Sequence, residues 1–298
     1  MVSDYKGGTK MLKYIAKKFL MGFICISLLF GLPLTSLAIT NEQAKVDKTV
    51  EQKIMSSDCG LVDPSESELN YLLARPKLVD ERIKKDIKYL EAEAEEQFEN
   101  SMRESIGIKS SWYYEEVARG TDETVTSCHY DDSNGSSWGV GQNNHAASYS
   151  GNWADASAHA YGVGGAQAWA AVGPKIYITG TGTQNADIFY NYSYNGTIAA
   201  AANGSAKVKI YAELWDANGC VARHTILDEE TGLGTDTYSA TATGRFNRNL
   251  TAGQTYTIVA KVQTTATNYG GITANSDFWN GGSGPEGIAF SHIIVDWQ

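Results

Sequence analysis

The feature of this sequence that most restricts its fold is a change of composition after Trp112. From there onward the chain is rich in Gly, Ala, Ser, Thr, Asn and Tyr and has few lysines and arginines. In residues 205–215, apolar residues at even positions alternate with polar or aromatic residues at odd positions. Such alternation with period two predicts antiparallel strands. Residues 111–298 are therefore predicted to form an all-β, antiparallel sandwich of about eight to ten strands, without a long helix.

Other runs in this region also have strand-like patterns. Further strands are predicted at residues 168–178, 187–194, 238–246, 256–262 and 288–297. The last of these is apolar on both faces, which is typical of a central strand. Asn195-Gly196, directly after one run, predicts a hairpin turn. The glycine-rich residues 162–165 are predicted to be a turn rather than a phosphate loop, because no strand-then-helix pattern surrounds them.

Residues 41–106 are charged and have a helical pattern. Asp63, Pro64 and Glu66 predict the start of a short helix, with Asp63 as the N-cap, and this helix should end near Arg75 because a proline follows.

A second helix is predicted at residues 77–105. Its apolar residues recur every three or four positions: Ile83, Ile87, Leu90, Ala94, Phe98 and Met102. This spacing places them on one narrow stripe of the helix. Three interpretations remain open at this point. The helix packs on the β-domain, it forms a coiled-coil stalk that joins copies of the chain, or it belongs to a pro-region.

The N-terminal residues have the pattern of a secretory signal. Residues 19–30 are an uninterrupted apolar run preceded by lysines, and Ser36 and Ala38 precede a predicted cleavage site before Ile39. The run is shorter than the ~20 residues that a membrane anchor needs. The protein is therefore predicted to be secreted or at the cell surface. The predicted division is a leader (1–38), a charged helical segment (39–110) and a β-sandwich domain (111–298).

The chain is acidic. Its formal net charge is −10, and the leader contributes +4 through five lysines and Asp4, so the remainder carries −14. This balance repels phosphate backbones, and nucleic acid is not an expected partner.

Three cysteines follow the leader: Cys59, Cys128 and Cys220. Cys128 and Cys220 both lie in the β-rich part, and a disulfide between them would contribute roughly 4 kcal/mol by loop closure. The odd number leaves Cys59 unpaired, or free to bridge two chains, and three free thiols are the alternative.

No catalytic motif is visible in the sequence. The five histidines lack HExxH spacing, and no serine lies in a G-x-S-x-G turn. Paired carboxylates have no sequence signature, so a hydrolase remains an alternative to a non-enzymatic protein. Asn275, Asp277 and Glu286 are the residues that would hold Ca²⁺ at a loop end. No other cofactor is predicted.

Aromatic residues are numerous for a chain of this length, with seven Trp and seventeen Tyr. Trp279 lies in a predicted Gly- and Asn-rich loop, and Tyr211 and Trp215 lie on the polar face of their strand. Flat aromatic rings beside Asn, Asp and Gln suit sugars, which stack through C–H faces and hydrogen-bond through hydroxyls. These three residues are the predicted ligand-binding residues.

Residues 249–258 and 287–297 resemble the final strands of jelly-roll carbohydrate-binding modules. The shared features are a Leu-x-x-Gly turn that leads into a strand, here Leu250 to Gly253, and an Asp near the end of the last strand, here Asp296. The resemblance implies a jelly-roll-like sandwich that binds glycan or another cell-envelope component. Two alternatives remain: a secreted hydrolase of polysaccharide or peptide with a pro-region, and a structural surface or adhesion subunit that assembles through the 77–105 helix.

Overall fold

The computed structural model describes residues 64–106, 114–279 and 287–298. These ranges belong to one compact unit, Ile54–Gln298. The predicted leader, Cys59 and Glu286 lie outside the described residues. Within the described ranges, two helices precede eleven strands, and nearly all of the strands pair antiparallel. The prediction of an all-β fold preceded by a helical segment is confirmed.

The helices are α1 (Glu66–Leu73) and α2 (Pro76–Ile106). The strands are β1 (Glu115–Ala118), β2 (Glu123–Val125), β3 (Tyr130–Ser148), β4 (Trp153–Gly173), β5 (Lys175–Thr179), β6 (Thr183–Ala200), β7 (Gly204–Asp216), β8 (Gly219–Thr231), β9 (Gly234–Thr251), β10 (Thr255–Phe278) and β11 (Gly287–Trp297).

The strands form two layers that face each other. Layer A has the order β3–β4–β10–β7–β8. Layer B has the order β9–β6–β11–β2. Between them lies a single apolar core to which both layers contribute, and the Tyr190 hydroxyl of layer B lies 2.9 Å from His224 Nδ1 of layer A. The two layers therefore pack as a sandwich.

The alternation of β7 places its residues as the sequence predicts. Val208, Ile210 and Leu214 are fully buried in the core between the layers. The residues between them lie on the outer face of layer A. The prediction that the last strand is central is also confirmed, because β11 pairs with β6 on one side and with β2 and β4 on the other.

Strand β10 connects the two layers. Its first half pairs with β7 through Thr257–Asn268, and residues 274–277 near its end pair with β6. The strand bends between these halves, where its register against β4 shifts twice near Gly270. Gly270 has a φ of 75°, which L side chains rarely adopt. The predicted turn at residues 162–165 is wrong, because these residues lie inside β4 opposite this bend.

The first helix begins later than predicted. Ser65, not Asp63, is its N-cap: the Ser65 hydroxyl accepts from the Glu68 N–H, and the Glu68 carboxylate accepts from the Ser65 N–H at 2.9 Å. The predicted pattern of cap and N3 glutamate is present, but it is displaced by two residues.

The apolar stripe of α2 lies against layer A. Ala94, Phe98 and Met102 are fully buried and pack with Trp169, Trp215 and Val259 of the sheet. Of the three interpretations, packing on the β-domain is the one that the structure shows. The stripe that would form a coiled coil with another copy is therefore buried within the chain. In the ranges described, neither helix is long and apolar enough to span a membrane.

The predicted hairpin turn at Asn195-Gly196 is also wrong. Both residues lie inside β6, which continues to Ala200. Gly196 is needed there for close approach, because a Cβ atom built on it would lie 2.3 Å from the ring of Phe278. The local turn signal is overridden by packing, since the Phe278 ring fills the space that a side chain would take.

Replacing Gly196 with Ala should therefore destabilise the protein. We expect a loss of about 1–3 kcal/mol in the free energy of unfolding, because the added methyl group forces the buried Phe278 ring to move. The measurement is urea unfolding of the full chain. Gly232→Ala is the matched control, because the nearest atom to its added Cβ is 3.9 Å away. Equal stability losses in the two variants would contradict the close packing at Gly196.

Candidate functional site

The two outer faces of the sandwich differ in what covers them. Helix α2 contacts β10, β4, β3 and β7, so the outer face of layer A lies beneath it. On layer B, outward-facing side chains along β6 and β9 are exposed or half-buried, with the exception of Asp187. Layer A thus has a covered outer face, and layer B has an open one.

Two of the predicted ligand-binding residues lie on the covered face. Trp215 is 1% exposed, its Nε1–H donates to Glu213 at 2.7 Å, and its ring meets Phe98 of α2 edge-on at 5.7 Å between centroids. Tyr211 is 8% exposed and lies between the cations of Arg223 and Lys261. Helix α2 covers the strand face that carries both rings, so neither ring is accessible in this structure, and their role as ligand-binding residues stays a prediction.

A buried cluster of charges holds α2 on the covered face. Lys261 is 1% exposed, and its ammonium group lies 2.7 Å from Glu95 of α2 and 3.3 Å from Glu213. Arg223 also pairs with both carboxylates. Burial would by itself raise the pKa of Glu95, but the charges of Lys261 and Arg223 outweigh it and lower that pKa. The Glu95 carboxylate is therefore held in its ionised form.

The open face carries an exposed aromatic residue that sequence reasoning missed. Phe189 of β6 is 37% exposed, although its neighbours Ile188 and Tyr190 are buried in the core. It borders a cavity of about 400 Å³, lined also by Asn191, Thr243, Arg245, His292 and Ile294. These residues are adjacent in the sheet, because Phe189 pairs with Arg245 of β9 and with Ile294 of β11.

Polar groups beside Phe189 are held in fixed positions. The Asp187 carboxylate accepts from Asn247 Nδ2 at 2.7 Å and from Arg245 Nη1 at 3.1 Å. Both donors come from β9, and Asp187 is itself buried. A carboxylate, an amide and a guanidinium beside an apolar ring provide acceptors and donors for vicinal hydroxyl groups.

A strand pattern in the sequence could have identified Phe189. In the run 187–194, the even positions hold Ile188, Tyr190 and Tyr192, which are buried. Phe189 is then the large apolar residue of the opposite, polar face. Apolar residues on the buried face of a strand are expected. An apolar ring on the opposite, polar face is therefore the informative exception.

Trp279, the third predicted ligand-binding residue, directly follows β10. It is half-buried, and the adjacent Phe278 is fully buried. Two residues earlier, Asp277 pairs with Thr197 of β6 in an antiparallel ladder, so the chain at Trp279 continues from Thr197 toward Asn195, on the Phe189 side of Thr197. Its role as a ligand-binding residue stays a prediction.

Two of the three residues predicted to bind calcium are described. Asn275 and Asp277 lie two residues apart on β10, beside His159 and Ser157 of β4. One side-chain oxygen of each, Oδ1, is buried without a hydrogen-bond partner among the described residues. Within the part of the chain that the structure describes, no group of three or more His, Cys, Asp or Glu could hold a metal ion. Glu286 lies outside this part, so the calcium site stays a prediction.

The predicted disulfide between Cys128 and Cys220 is not formed. Both cysteines are free. Cys128 precedes β3 and Cys220 lies on β8, at opposite edges of layer A. Four strand spacings separate these edges by about 19 Å, beyond the ~7 Å that a disulfide can join. Burial raises the pKa of Cys128 well above its ordinary value, and burial and Glu213 raise the pKa of Cys220 to about 11. Neither thiol is ionised at neutral pH, as a nucleophile would require.

Comparisons with known proteins give no family for this chain. No family model matches it, and no curated protein matches it. Among solved structures, it is similar to the enzymatically active domain of tailspike protein 4 of bacteriophage CBA120, at 12% identity and a TM-score of 0.20. That match covers 56% of this chain and 19% of the tailspike chain.

A second similarity is to a structure of carbohydrate-binding modules from the β-sandwich superfamily, at 14% identity and a TM-score of 0.18. It covers 54% of this chain and 56% of the module chain. The chain thus spans about a fifth of the length of the tailspike chain and just over half of the length of the module chain. At TM-scores of this size, neither similarity identifies the fold or the function of this chain.

The charge cluster predicts a pH dependence of stability. The pKa of Glu95 is lowered on folding, so its carboxylate stabilises the folded protein above the unfolded pKa of about 4.3. This stabilisation is lost as the pH falls through the lower, folded pKa. Urea unfolding at pH 6 and pH 3 measures this effect. Between these pH values, we expect the wild type to lose more free energy of unfolding than the Glu95→Gln variant does. Identical pH profiles would contradict the assignment to Glu95.

Proposed function

We propose that this protein is a non-enzymatic, exported glycan-binding protein that binds saccharides on the open face of layer B. The observation that carries the proposal is Phe189, an aromatic ring 37% exposed at a cavity whose other side chains are mostly polar. An exposed ring of this size is costly in water, and a sugar that covers it removes that cost. The resemblance of the final strands to carbohydrate-binding modules supports the same class of ligand.

The chemistry around Phe189 fits a saccharide better than it fits an apolar ligand. A pyranose presents C–H groups on one face and hydroxyl groups around its edge. Phe189 offers a surface for the C–H face. Asp187, Asn191 and Arg245 offer acceptors and donors for the hydroxyls, and the Asp187–Arg245 and Asp187–Asn247 hydrogen bonds fix their positions in advance.

The open face is long enough for several sugar residues. Along β6, Phe189 and Thr197 are eight residues apart, which is about 26 Å in an extended strand. The outward positions between them hold Asn191, Ser193 and Asn195, all uncharged. Asp277 lies beside Thr197, and Trp279 follows in the direction of Asn195. This arrangement supports a chain-like, neutral glycan that contacts Phe189 at one end and Trp279 at the other.

The location and partners of the protein follow from the same proposal. Cleavage of the leader before Ile39 would place the protein outside the cell, either secreted or at the cell surface. Its partner would then be a glycan of the cell envelope or of the surroundings. The acidic remainder of the chain disfavours nucleic acid. Asn275 and Asp277 supply side-chain oxygens near the Trp279 end, for sugar hydroxyls or for Ca²⁺.

Removal of the Phe189 ring should weaken glycan binding. After a glycan array identifies a ligand of the wild type, we expect Phe189→Ala to raise Kd by about 5- to 30-fold, equivalent to about 1–2 kcal/mol of lost ring contact. The melting temperature should change little because the ring is outside the core. Binding is measured by isothermal titration calorimetry.

Leu233→Ala is the matched control for this experiment. Leu233 is 77% exposed and lies between β8 and β9, away from the cavity. We expect this variant to bind like the wild type. An array without any bound glycan, or equal losses in the two variants, would refute the proposed site.

Trp279 provides a second test at the other end of the face. We expect Trp279→Ala to weaken glycan binding by about 1–3 kcal/mol while the melting temperature stays nearly unchanged. Phe278→Ala is the contrasting variant: this adjacent ring is fully buried, and its removal should cost about 3–5 kcal/mol of unfolding free energy. If Trp279→Ala lost several kcal/mol of stability instead, Trp279 would be a core residue.

A further inference from the structure

The face of layer A beneath α2 has an unusual composition for a sheet face that a helix covers. Sheet faces buried by helices are normally rich in Val, Ile and Leu. Here six aromatic rings lie on the covered face, each less than 9% exposed: Tyr130, Trp138, Trp169, Tyr211, Trp215 and Tyr269. Cationic and amide side chains lie between the rings, among them Lys261 and Gln263. Aromatic rings interspersed with hydrogen-bonding and charged groups are characteristic of ligand-binding surfaces.

Two carboxylates of α2 pair with four cations of this face. Glu91 Oε1 lies 3.1 Å from Lys207 Nζ and 2.9 Å from Lys209 Nζ. Glu95 pairs with Lys261 at 2.7 Å and with Arg223.

The sheet itself supplies three carboxylates to the same cations. Glu213 pairs with Lys261 and Arg223, while Asp228 and Glu230 lie within 4.0 Å of Lys207. With α2 in place, five carboxylates face these four cations. Without Glu91 and Glu95, three carboxylates remain, so this group of paired charges keeps one excess positive charge.

The helix also places an aromatic ring on the rings of the sheet. Phe98 meets Trp169 at 5.2 Å and Trp215 at 5.7 Å between centroids, edge-on in both cases. The Lys261 ammonium lies 4.1 Å from the Phe98 ring centroid and is paired with Glu95. The helix therefore presents an apolar ring and adjacent carboxylates to Trp rings and Lys side chains. A sugar ring that bears a carboxylate would present the same groups.

The sandwich does not need α2 for its own core. The apolar cluster between the two layers contains no residue of α1 or α2 among those described. The contact beneath α2 includes a separate, smaller apolar cluster, whose helix members are Ala94, Phe98 and Met102, with Ile106 at its edge. Val79, Ile83, Ile87 and Leu90 of α2 are also buried. Separation of α2 from the sheet would thus leave the core between the layers intact.

We propose that the covered face of layer A is a second binding surface, for an acidic, uronate-containing polysaccharide, and that α2 occupies it as an internal competitor. Glu91 and Glu95 take the places of the ligand's carboxylates, and Phe98 takes the place of a sugar ring. This surface is distinct from the open face around Phe189 and does not depend on the function proposed there. A ligand that binds only the uncovered state must shift the protein toward that state.

The first test measures hydrogen exchange of the α2 amides in the full chain. Polygalacturonate and alginate are the acidic probes, and dextran is the neutral control. We expect the acidic probes to accelerate α2 exchange in the wild type by about 5-fold or more at low ionic strength, whereas dextran should not. The double variant Lys207→Gln/Lys209→Gln should lose this response. Exchange that is unchanged or slowed by both acidic probes would overturn the proposal.

The second test removes the competing carboxylates. The double variant Glu91→Gln/Glu95→Gln should bind polygalacturonate at least 10-fold more tightly than the wild type does. Glu96→Gln is the matched control, because Glu96 is exposed on the same helix. If this double variant showed faster α2 exchange than the wild type without tighter polygalacturonate binding, the proposal would be overturned. Unchanged α2 exchange would also overturn it, because the two carboxylates would then not hold the helix.

Phe189→Ala separates this proposal from the function proposed above. The variant should leave polygalacturonate binding by Glu91→Gln/Glu95→Gln unchanged. If adding Phe189→Ala to this double variant abolished polygalacturonate binding, that binding would belong to the open face. The second surface would then be refuted.

Discussion

The structure depends on strand β10, which is paired on both sides and, together with the start of β4, links the two layers. It pairs with β4 and β7 in layer A, and its last residues pair with β6 of layer B. Its inward residues, such as Ile258 and Val262, lie in the core. Its outward residues, such as Lys261, contact α2. The bend near Gly270 makes this continuity possible, because it turns the strand without ending its ladder of hydrogen bonds.

The two outer faces of the sandwich solve different physical problems. On layer A, Lys261 and Glu213 are almost completely removed from water, and charges in such positions are tolerated only when they are paired. Helix α2 supplies the remaining partner through Glu95. On layer B, most outward residues remain in contact with water and are polar, with Phe189 as the apolar exception. One face is therefore closed by charge pairing, whereas the other is shaped by hydrogen-bonding side chains.

Features that depend on local periodicity are predicted correctly from the sequence. Features that depend on contacts between residues distant in the chain are not. Period two identifies β7, and the stripe through Ala94 and Phe98 identifies the buried side of α2. Asn195-Gly196 is a strong turn signal, but the Phe278 ring, about 80 residues away, decides its conformation. The disulfide prediction fails for the same reason. No local pattern shows that the strands next to Cys128 and Cys220 are opposite edges of one layer.

The same limitation applies to the candidate site. Exposure of Tyr211 and Trp215 depends on whether another element covers their strand, and the strand pattern contains no information about that. Phe189 was recoverable, because its own strand already showed a ring on the polar side. Tyr211 and Trp215 depart from alternation in the same way, so the pattern locates rings on a polar face but does not show which of them are exposed.

The pairing of β4 with β10 has a consequence for how the chain acquires its structure. The paired residues are roughly 90 to 120 positions apart, and β10 is the second-last strand of the chain. Both layers lack β10 until residue 278 has been synthesised. Contacts of such long range also make folding slow. The core between the layers therefore closes only after β10 has joined the strands that precede it in the chain.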